Sequence, residues 1–325
     1  PELLRAVTHG DAASVAEALR ERACPNFEGP NGLTPLVAAA GSGRLDIVAE
    51  LHVAGADKDL AAGPDGATPL VAAASGGHAK IVRYLSEMAA EVDRTMRDGV
   101  SPLLAAAIGG HMEAVDYLLA AGAERDRRTD KGASALLLAA SGGHEEVTRS
   151  LCKAGADREL SMEDGRTPLQ EAAREGHLEV LRELCEAGAE KDSQNVEGVS
   201  PLVWAAMRGH VEAVRLLCEA RADLQLVTQH GATALLLASQ NGNVAAASQL
   251  LEAAADVDRP LQSGATPLFM AAWNGHAEVV TRLVEAGANK DAGLSGSDGL
   301  ATPLHAAEEA GHAEVAQLLR EAGAS

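Results

Sequence analysis

Histidine is the residue whose spacing most invites a catalytic or metal-binding interpretation in this sequence. Seven of the eleven histidines follow a glycine and fall into one periodic column. They are His78, His111, His144, His177, His210, His276 and His312. If the period marks a helical unit, neighbouring histidines lie about 8–10 Å apart, whereas ligands of one zinc ion place their nitrogens about 2.0–2.1 Å from it. We therefore predict no metal site here and expect each histidine to form a hydrogen bond with its own turn.

Three of the four cysteines form a second column. Cys152, Cys185 and Cys218 are spaced 33 residues apart, and Cys24 lies elsewhere in its unit. A disulfide needs Cα atoms within about 7 Å, so neighbours one helical unit apart cannot pair. We expect four reduced thiols that act as small apolar fillers, which points to a reducing, intracellular compartment, cytoplasmic or organellar.

Other catalytic signatures are missing from the sequence. It has no Gly-x-x-x-x-Gly-Lys-[Ser/Thr] phosphate loop and no Gly-x-Ser-x-Gly elbow. Pairs such as Asp57/Asp59 and Asp256/Asp258 lack the twelve-residue frame and final Glu of a calcium loop, so we interpret them as solvated charges. We predict no catalytic residue, no metal and no cofactor, and hence a protein that is not an enzyme.

Charge and composition narrow the class of partner. With 47 acidic and 27 basic residues the formal charge is −20, and such a surface repels phosphate backbones and anionic lipids. No apolar run reaches the roughly 18 residues of a membrane span. Hydrophobic residues make up 46% of the chain but aromatic residues only 2%, a balance that suits thin repeated layers of helices. We expect a protein partner, no nucleic acid and no membrane insertion.

A repeated tripeptide, [Ser/Thr]-[Pro/Ala]-Leu, sets the frame for these columns. Its first residue is Thr34, Thr68, Ser101, Ser134, Thr167, Ser200, Thr233, Thr266 and Thr302, and residue 1 fits one period earlier. The spacings are 34, then 33 six times, then 36. Ser or Thr before Pro predicts a helix start, and the Gly before His and the Gly of Ala-Gly-Ala predict the ends of two helices. Each unit is therefore helix, turn, helix and a β-turn finger, with pairs of alanines where neighbours approach.

The segments Gly132–Leu136, Ala139–His144 and Ala154–Asp157 resemble the ankyrin consensus, and the resemblance covers essentially the whole chain. It implies an all-α solenoid of about ten ankyrin repeats: a curved, elongated stack, forming a single domain over 1–325. Repeats start near 1, 34, 68, 101, 134, 167, 200, 233, 266 and 302. First helices and fingers would line the concave face. In the family an Asn in the finger can be hydroxylated; here that column holds mainly Asp, with Asn26 as the one match, so the modification is not expected along the array.

Departures from the consensus occur at several columns. Arg221 and Ala254 replace a helix-ending Gly, and Asn243 replaces the histidine. Two fingers are longer than the period allows, by one residue within 60–66 and by three within 292–301, where Gly293, Ser295, Gly296 and Ser297 predict flexibility. We interpret both as tolerated insertions at finger tips, with a partner-specific contact as the alternative.

Variation at the end of the first helix indicates where a partner would bind. We call the two residues after the Ala pair the helix-end pair. Early pairs are small, apart from Ile108, whereas the later pairs contain large side chains of types enriched at interfaces. The predicted partner-binding residues are Arg174, Glu175, Met207, Arg208, Gln240, Asn241, Trp273 and Asn274. Drift of unconstrained surface residues is the alternative. Trp204 falls one column inward, where we expect it to pack into the core.

The fingers of the first half carry eight basic residues, interleaved with ten acidic ones. Such a mixed rim indicates a solvated surface; an anionic partner site is the alternative. Secondary finger-tip candidates are Arg97, Arg128, Lys131 and Arg166.

These features predict a non-catalytic scaffold that binds a protein through its concave face and finger tips, as part of a larger assembly. The facing surface of the partner would be neutral to basic. The alternative is a regulatory or targeting module of a larger enzyme, channel or degradation adaptor. Glu308, which replaces the second small residue of the Ala pair, favours a terminal repeat, because terminal repeats need polar outer faces.

Overall fold

The computed structural model describes residues 2–296 and 299–324, which form twenty α-helices. The chain divides into two compact units, Pro1–Glu163 and Asp164–Ser325, which we call unit 1 and unit 2. Each unit contains five pairs of helices.

The first helix of each repeat begins where the tripeptide predicts. The hydroxyl of Thr34, for example, accepts a hydrogen bond from the backbone N–H of Val37, and the same cap starts each first helix from residue 34 onward. In unit 1 the first helices are α1 (Glu2–His9), α3 (Pro35–Gly41), α5 (Pro69–Ser75), α7 (Pro102–Ile108) and α9 (Ala135–Ser141). In unit 2 they are α11 (Pro168–Glu175), α13 (Pro201–Arg208), α15 (Ala234–Gln240), α17 (Pro267–Trp273) and α19 (Pro303–Glu309).

The second helix of each repeat follows after a tight turn. In unit 1 the second helices are α2 (Ala12–Arg20), α4 (Leu45–Val53), α6 (Ala79–Glu87), α8 (Met112–Ala120) and α10 (Glu145–Lys153). In unit 2 they are α12 (Leu178–Glu186), α14 (Val211–Glu219), α16 (Val244–Glu252), α18 (Ala277–Glu285) and α20 (Ala313–Glu321). Glycine in a left-handed conformation separates the two helices, as at Gly77 (φ 69°), and another ends the second helix, as at Gly155 (φ 78°). Arg221 and Ala254 adopt the same conformation without being glycine.

Within each unit the helices pack in two layers. First helices contact the first helices of neighbouring repeats, second helices contact second helices, and each first helix packs on its own second helix. The Ala pairs, such as Ala106 and Ala107, are fully buried at the contacts between first helices. The tripeptide leucines, such as Leu103 and Leu202, are buried between the layers. This arrangement confirms the α-solenoid predicted from the spacing.

The fingers are joined to one another by backbone hydrogen bonds. In unit 1 the N–H of Arg97 donates to the carbonyl of Asp65 at 3.0 Å, and in unit 2 the N–H of Gln229 donates to the carbonyl of Glu197 at 2.9 Å. The first longer finger closes with an isolated antiparallel bridge between Ala62 and Ala67. A short 3-10 turn, Pro30–Gly32, precedes α3.

The second longer finger contains the two strands found in the described residues. β1 (Leu294–Gly296) pairs antiparallel with β2 (Gly299–Ala301), so the three-residue insertion extends this finger into a hairpin. Ser297, one of the residues expected to make this loop flexible, lies outside the described residues.

Candidate binding face

The histidine column links neighbouring repeats, and the expected hydrogen bond within its own turn is wrong. Nε2 of His111 lies 3.1 Å from the carbonyl oxygen of Ser75, and Nε2 of His276 lies 3.0 Å from that of Gln240. Each acceptor ends the first helix of the preceding repeat. Since a carbonyl oxygen only accepts, the ring nitrogen is the donor. The imidazoles therefore bind helix ends, a role that occupies Nε2.

Asn243 performs the same task where the histidine is replaced. Its Nδ2 donates to the carbonyl oxygens of Ala206 and Met207 at 2.9 and 3.0 Å. The amide is shorter than an imidazole but reaches the same end of the preceding first helix. The departure from the consensus is therefore structurally conservative.

The acidic column of the fingers also has a structural role, and the interpretation as solvated charges is incomplete. The carboxylate of Asp93 accepts a hydrogen bond from the backbone N–H of Glu124, in the next repeat, at 2.9 Å. The matching bonds in unit 1 are accepted by Asn26, Asp59 and Asp126, and those in unit 2 by Asp192 and Asp258. These side chains are only partly exposed, and one side-chain oxygen of each accepts the backbone N–H of a residue in the next repeat.

The helix-end pairs of unit 1 present a nearly smooth surface. Gly41, Ser75 and Ser141 carry small side chains or none, and Ile108 is the one large side chain, half exposed. The contrast with unit 2 is therefore a difference in side-chain volume at equivalent positions of the first helix.

The first candidate pair of unit 2 belongs to an ion-pair cluster. Nη2 of Arg174 lies 2.7 Å from a carboxylate oxygen of Glu171 and 2.7 Å from one of Glu175. Glu171 is almost fully buried and also pairs with Arg166, which in turn binds Asp164 at 2.6 Å. The cluster holds three acidic and two basic residues. Arg174 is thus a partly buried, anchored side chain, and Glu175 is exposed beside it.

The second candidate pair presents an apolar and a cationic side chain. Met207 is half-buried and Arg208 is exposed. The guanidinium of Arg208 forms no ion pair with any residue that the structure describes. Trp204, three residues before Met207 on the same helix, is partly buried, and its Nε1 atom is enclosed without a described acceptor.

The last two candidate pairs combine amides with the exposed tryptophan. The amide of Asn241 donates to the carbonyl of Met207 at 2.9 Å, and that of Asn274 donates to the carbonyl of Met270 at 2.8 Å. Gln240 is half-buried, and in the described part of the chain its side chain has no hydrogen-bond partner. Trp273 remains 43% exposed.

The ring of Trp273 is held by the packing beneath it. It stacks on Phe269 with 6.4 Å between ring centroids and 11° between the ring planes, and Phe269 is itself buried. The carbonyl of Trp273 accepts a hydrogen bond from His312 at 3.1 Å. The indole is thus a pre-positioned apolar surface, the kind of side chain that contributes most at interfaces.

Two further residues of this face could have been found from the helical period. Positions three residues before the helix-end pair lie on the same side of the helix. In unit 2 these positions hold Leu237 and Met270, which are partly exposed and extend the face, Trp204, which was expected in the core and is partly buried, and Glu171, which is buried.

The finger-tip candidates divide into two groups. Arg97 and Lys131 are exposed and form no side-chain ion pair with the described residues. Arg128 instead donates to the carbonyls of Gly132 (2.8 Å) and Ser161 (2.5 Å), and Arg166 belongs to the ion-pair cluster. Two of the four cations are therefore engaged in intramolecular contacts.

The thiols of Cys185 and Cys218 are not activated nucleophiles. All four cysteines are free, and burial raises the pKa of the Cys185 thiol to about 11 and also raises the pKa of Cys218. Over residues 2–296 and 299–324, no three metal-ligating side chains converge. None of the helices described has the length and apolarity that a membrane crossing requires.

Comparison with known proteins gives one result. A family model for ankyrin repeats (3 copies) matches residues 3–96, 42–128, 103–195, 187–260 and 256–325, and so covers nearly the whole chain. No curated protein matches the chain.

Proposed function

Because this chain belongs to the ankyrin-repeat family, whose repeats are generally protein–protein interaction modules, we propose that it is a non-catalytic scaffold within a larger assembly. The proposed binding surface comprises the helix-end pairs of unit 2 and the neighbouring finger tips. The observation that carries the proposal is Trp273, an indole 43% exposed on a first helix yet fixed by Phe269 below it.

The fold does not require a large side chain at the position of Trp273. Three of the four equivalent positions in unit 1 hold Gly41, Ser75 and Ser141, and the fourth holds Ile108, whose side chain is half exposed. An exposed Trp leaves apolar surface in water. Burial of that surface against a partner would be favourable by about 25 cal/mol for each Å². The overall charge of −20 favours a partner whose facing surface is neutral to basic.

The test uses a partner protein that co-purifies with the full-length chain. Trp273→Ala and Arg208→Ala should each weaken its binding by about tenfold or more. Arg208→Ala should leave the melting curve nearly unchanged because its side chain is exposed. Trp273→Ala also removes the stacking on Phe269, so its binding is measured below the temperature at which its melting curve begins to change. Ile108→Ala, at the same helix position in unit 1, is the matched control and should bind normally. Wild-type affinity in both variants, or partner contacts confined to second helices, would reject this surface.

A further inference from the structure

The end of unit 2 places an acidic side chain next to the exposed tryptophan. Glu309 ends α19 as Trp273 ends α17, so the two occupy equivalent positions in successive repeats, about 8–10 Å apart along the stack. The bond from His312 to the carbonyl of Trp273 fixes the turn after Glu309 against the end of α17. Glu309 is exposed, and its carboxylate has no partner among the described residues.

Glu308, the residue before Glu309 on α19, is paired with Arg320. Among the described residues, Glu309 therefore keeps an unpaired carboxylate on the repeat that follows the indole.

We propose that Trp273 and Glu309 together receive a basic side chain of the partner. This inference deepens the proposed function and rests on it. The indole face attracts a guanidinium or ammonium group through its quadrupole, and a neighbouring carboxylate supplies a charge-assisted hydrogen bond. Met270, three residues before Trp273 on α17, and Leu237, at the same helix position one repeat earlier, are partly exposed and can cover the aliphatic stem of an Arg or Lys.

The charges on this face also determine the direction in which the bound segment of the partner runs. Arg208 is an unpaired cation two repeats before Trp273, so it repels a basic group at that end. The occupant is therefore a peptide segment that carries its basic residue at the repeat 9–10 end and a neutral or acidic residue near Arg208.

The experiment selects displayed random peptides of about 12 residues, long enough to span three repeats, on the full chain. The best peptides are synthesised and titrated by calorimetry. We expect one essential Arg or Lys, whose replacement by citrulline or norleucine weakens binding about tenfold. That loss should fall below about threefold in Glu309→Gln and in Trp273→Ala, because the group it contacts is gone. In Glu309→Lys, a peptide with Glu in place of the basic residue should bind better than the original.

The outcomes separate this inference from the proposed function. Peptides that need Trp273 and Arg208 but no basic residue would overturn the inference and leave the binding surface standing. Peptides that bind both alanine variants normally would overturn both. Failure to enrich any peptide would also count against the inference, since a pre-positioned site for an exposed basic side chain should select one.

Discussion

Nε2 of His312 lies 3.1 Å from the carbonyl oxygen of Trp273, which belongs to the preceding repeat. The bond satisfies a backbone acceptor that an α-helix leaves unpaired at its end. It also explains why a histidine recurs at this column in seven of the ten repeats: the imidazole spans the gap between two repeats at the position where their first helices end.

We expect His111→Ala to lower the free energy of unfolding by about 1 kcal/mol, because the carbonyl of Ser75 loses its donor. His111→Asn should recover part of the loss, since Asn243 makes the equivalent bond in another repeat. Urea denaturation measures both. His230→Ala, which removes an exposed finger histidine, is the control. Equal losses in His111→Ala and His230→Ala would contradict the prediction.

The left-handed residues that are not glycine should be sites of strain. Ala89 (φ 55°) and Ala254 (φ 65°) end second helices in a conformation that costs an L-residue about 1–2 kcal/mol. We therefore expect Ala89→Gly and Ala254→Gly each to raise stability, by about 1 kcal/mol after the entropy of glycine is subtracted.

Gly155→Ala is the reciprocal variant. A Cβ at Gly155 would meet no atom within 4 Å, so only its backbone conformation (φ 78°) opposes the substitution. Thermal melting should show that Gly155→Ala lowers stability by about 1 kcal/mol. Opposite signs for the two substitution directions support backbone strain; a gain in stability from Gly155→Ala would refute it.

Much of the fold could be predicted because its determinants are local. The capping hydroxyl of Thr34 and the left-handed Gly155 act within a few residues of their own positions, so the spacing alone located the helices. Contacts between repeats were harder to predict. The period shows that His111 recurs but does not show which atom of the neighbouring repeat it reaches.

The candidate face was predicted less completely for a related reason. The sequence makes Arg174 and Arg166 candidates for contact with a partner, yet both pair with Glu171, a buried acid in a column of mainly apolar residues. Nothing in the spacing reveals that pairing, because it depends on how a finger folds back on its first helix. Trp273, by contrast, is exposed as its column indicated.

Thiol reactivity should follow burial and pKa. Burial disfavours the thiolate of Cys185 and raises its pKa to about 11, so at pH 8 about one thiol in a thousand is ionised. Iodoacetamide should modify the exposed Cys24 first, and Cys185 should react quickly only as the pH approaches 11. Mass spectrometry of the folded protein measures both rates, with urea-unfolded protein as the control.

The raised pKa of Cys185 also makes the stability of the fold depend on pH. The thiol ionises at lower pH in the unfolded chain than in the folded one, so its contribution to the free energy of unfolding is fully present below the ordinary thiol pKa. That contribution is lost as the pH rises towards 11. Equal labelling of Cys24 and Cys185 in the folded protein at pH 8 would contradict the burial on which this depends.

The finger carboxylates should contribute to stability as hydrogen-bond acceptors more than as charges. Asp93 accepts the backbone N–H of Glu124 at 2.9 Å, so Asp93→Ala should lower the free energy of unfolding by about 1 kcal/mol. Asp93→Asn keeps an acceptor oxygen in place, as Asn26 does when it accepts the N–H of Asp57 at 2.8 Å, and should lose less than half as much stability.

Asp65→Ala is the control. It removes an exposed finger carboxylate that has no described hydrogen bond, and so isolates the effect of charge in a chain of net charge −20. Urea denaturation at low and high salt separates the two effects, because salt screens the charge but leaves the hydrogen bond. If Asp93→Asn destabilises as much as Asp93→Ala, or if Asp65→Ala matches both, the carboxylate acts through its charge and the assignment of Asp93 as an acceptor between repeats is wrong.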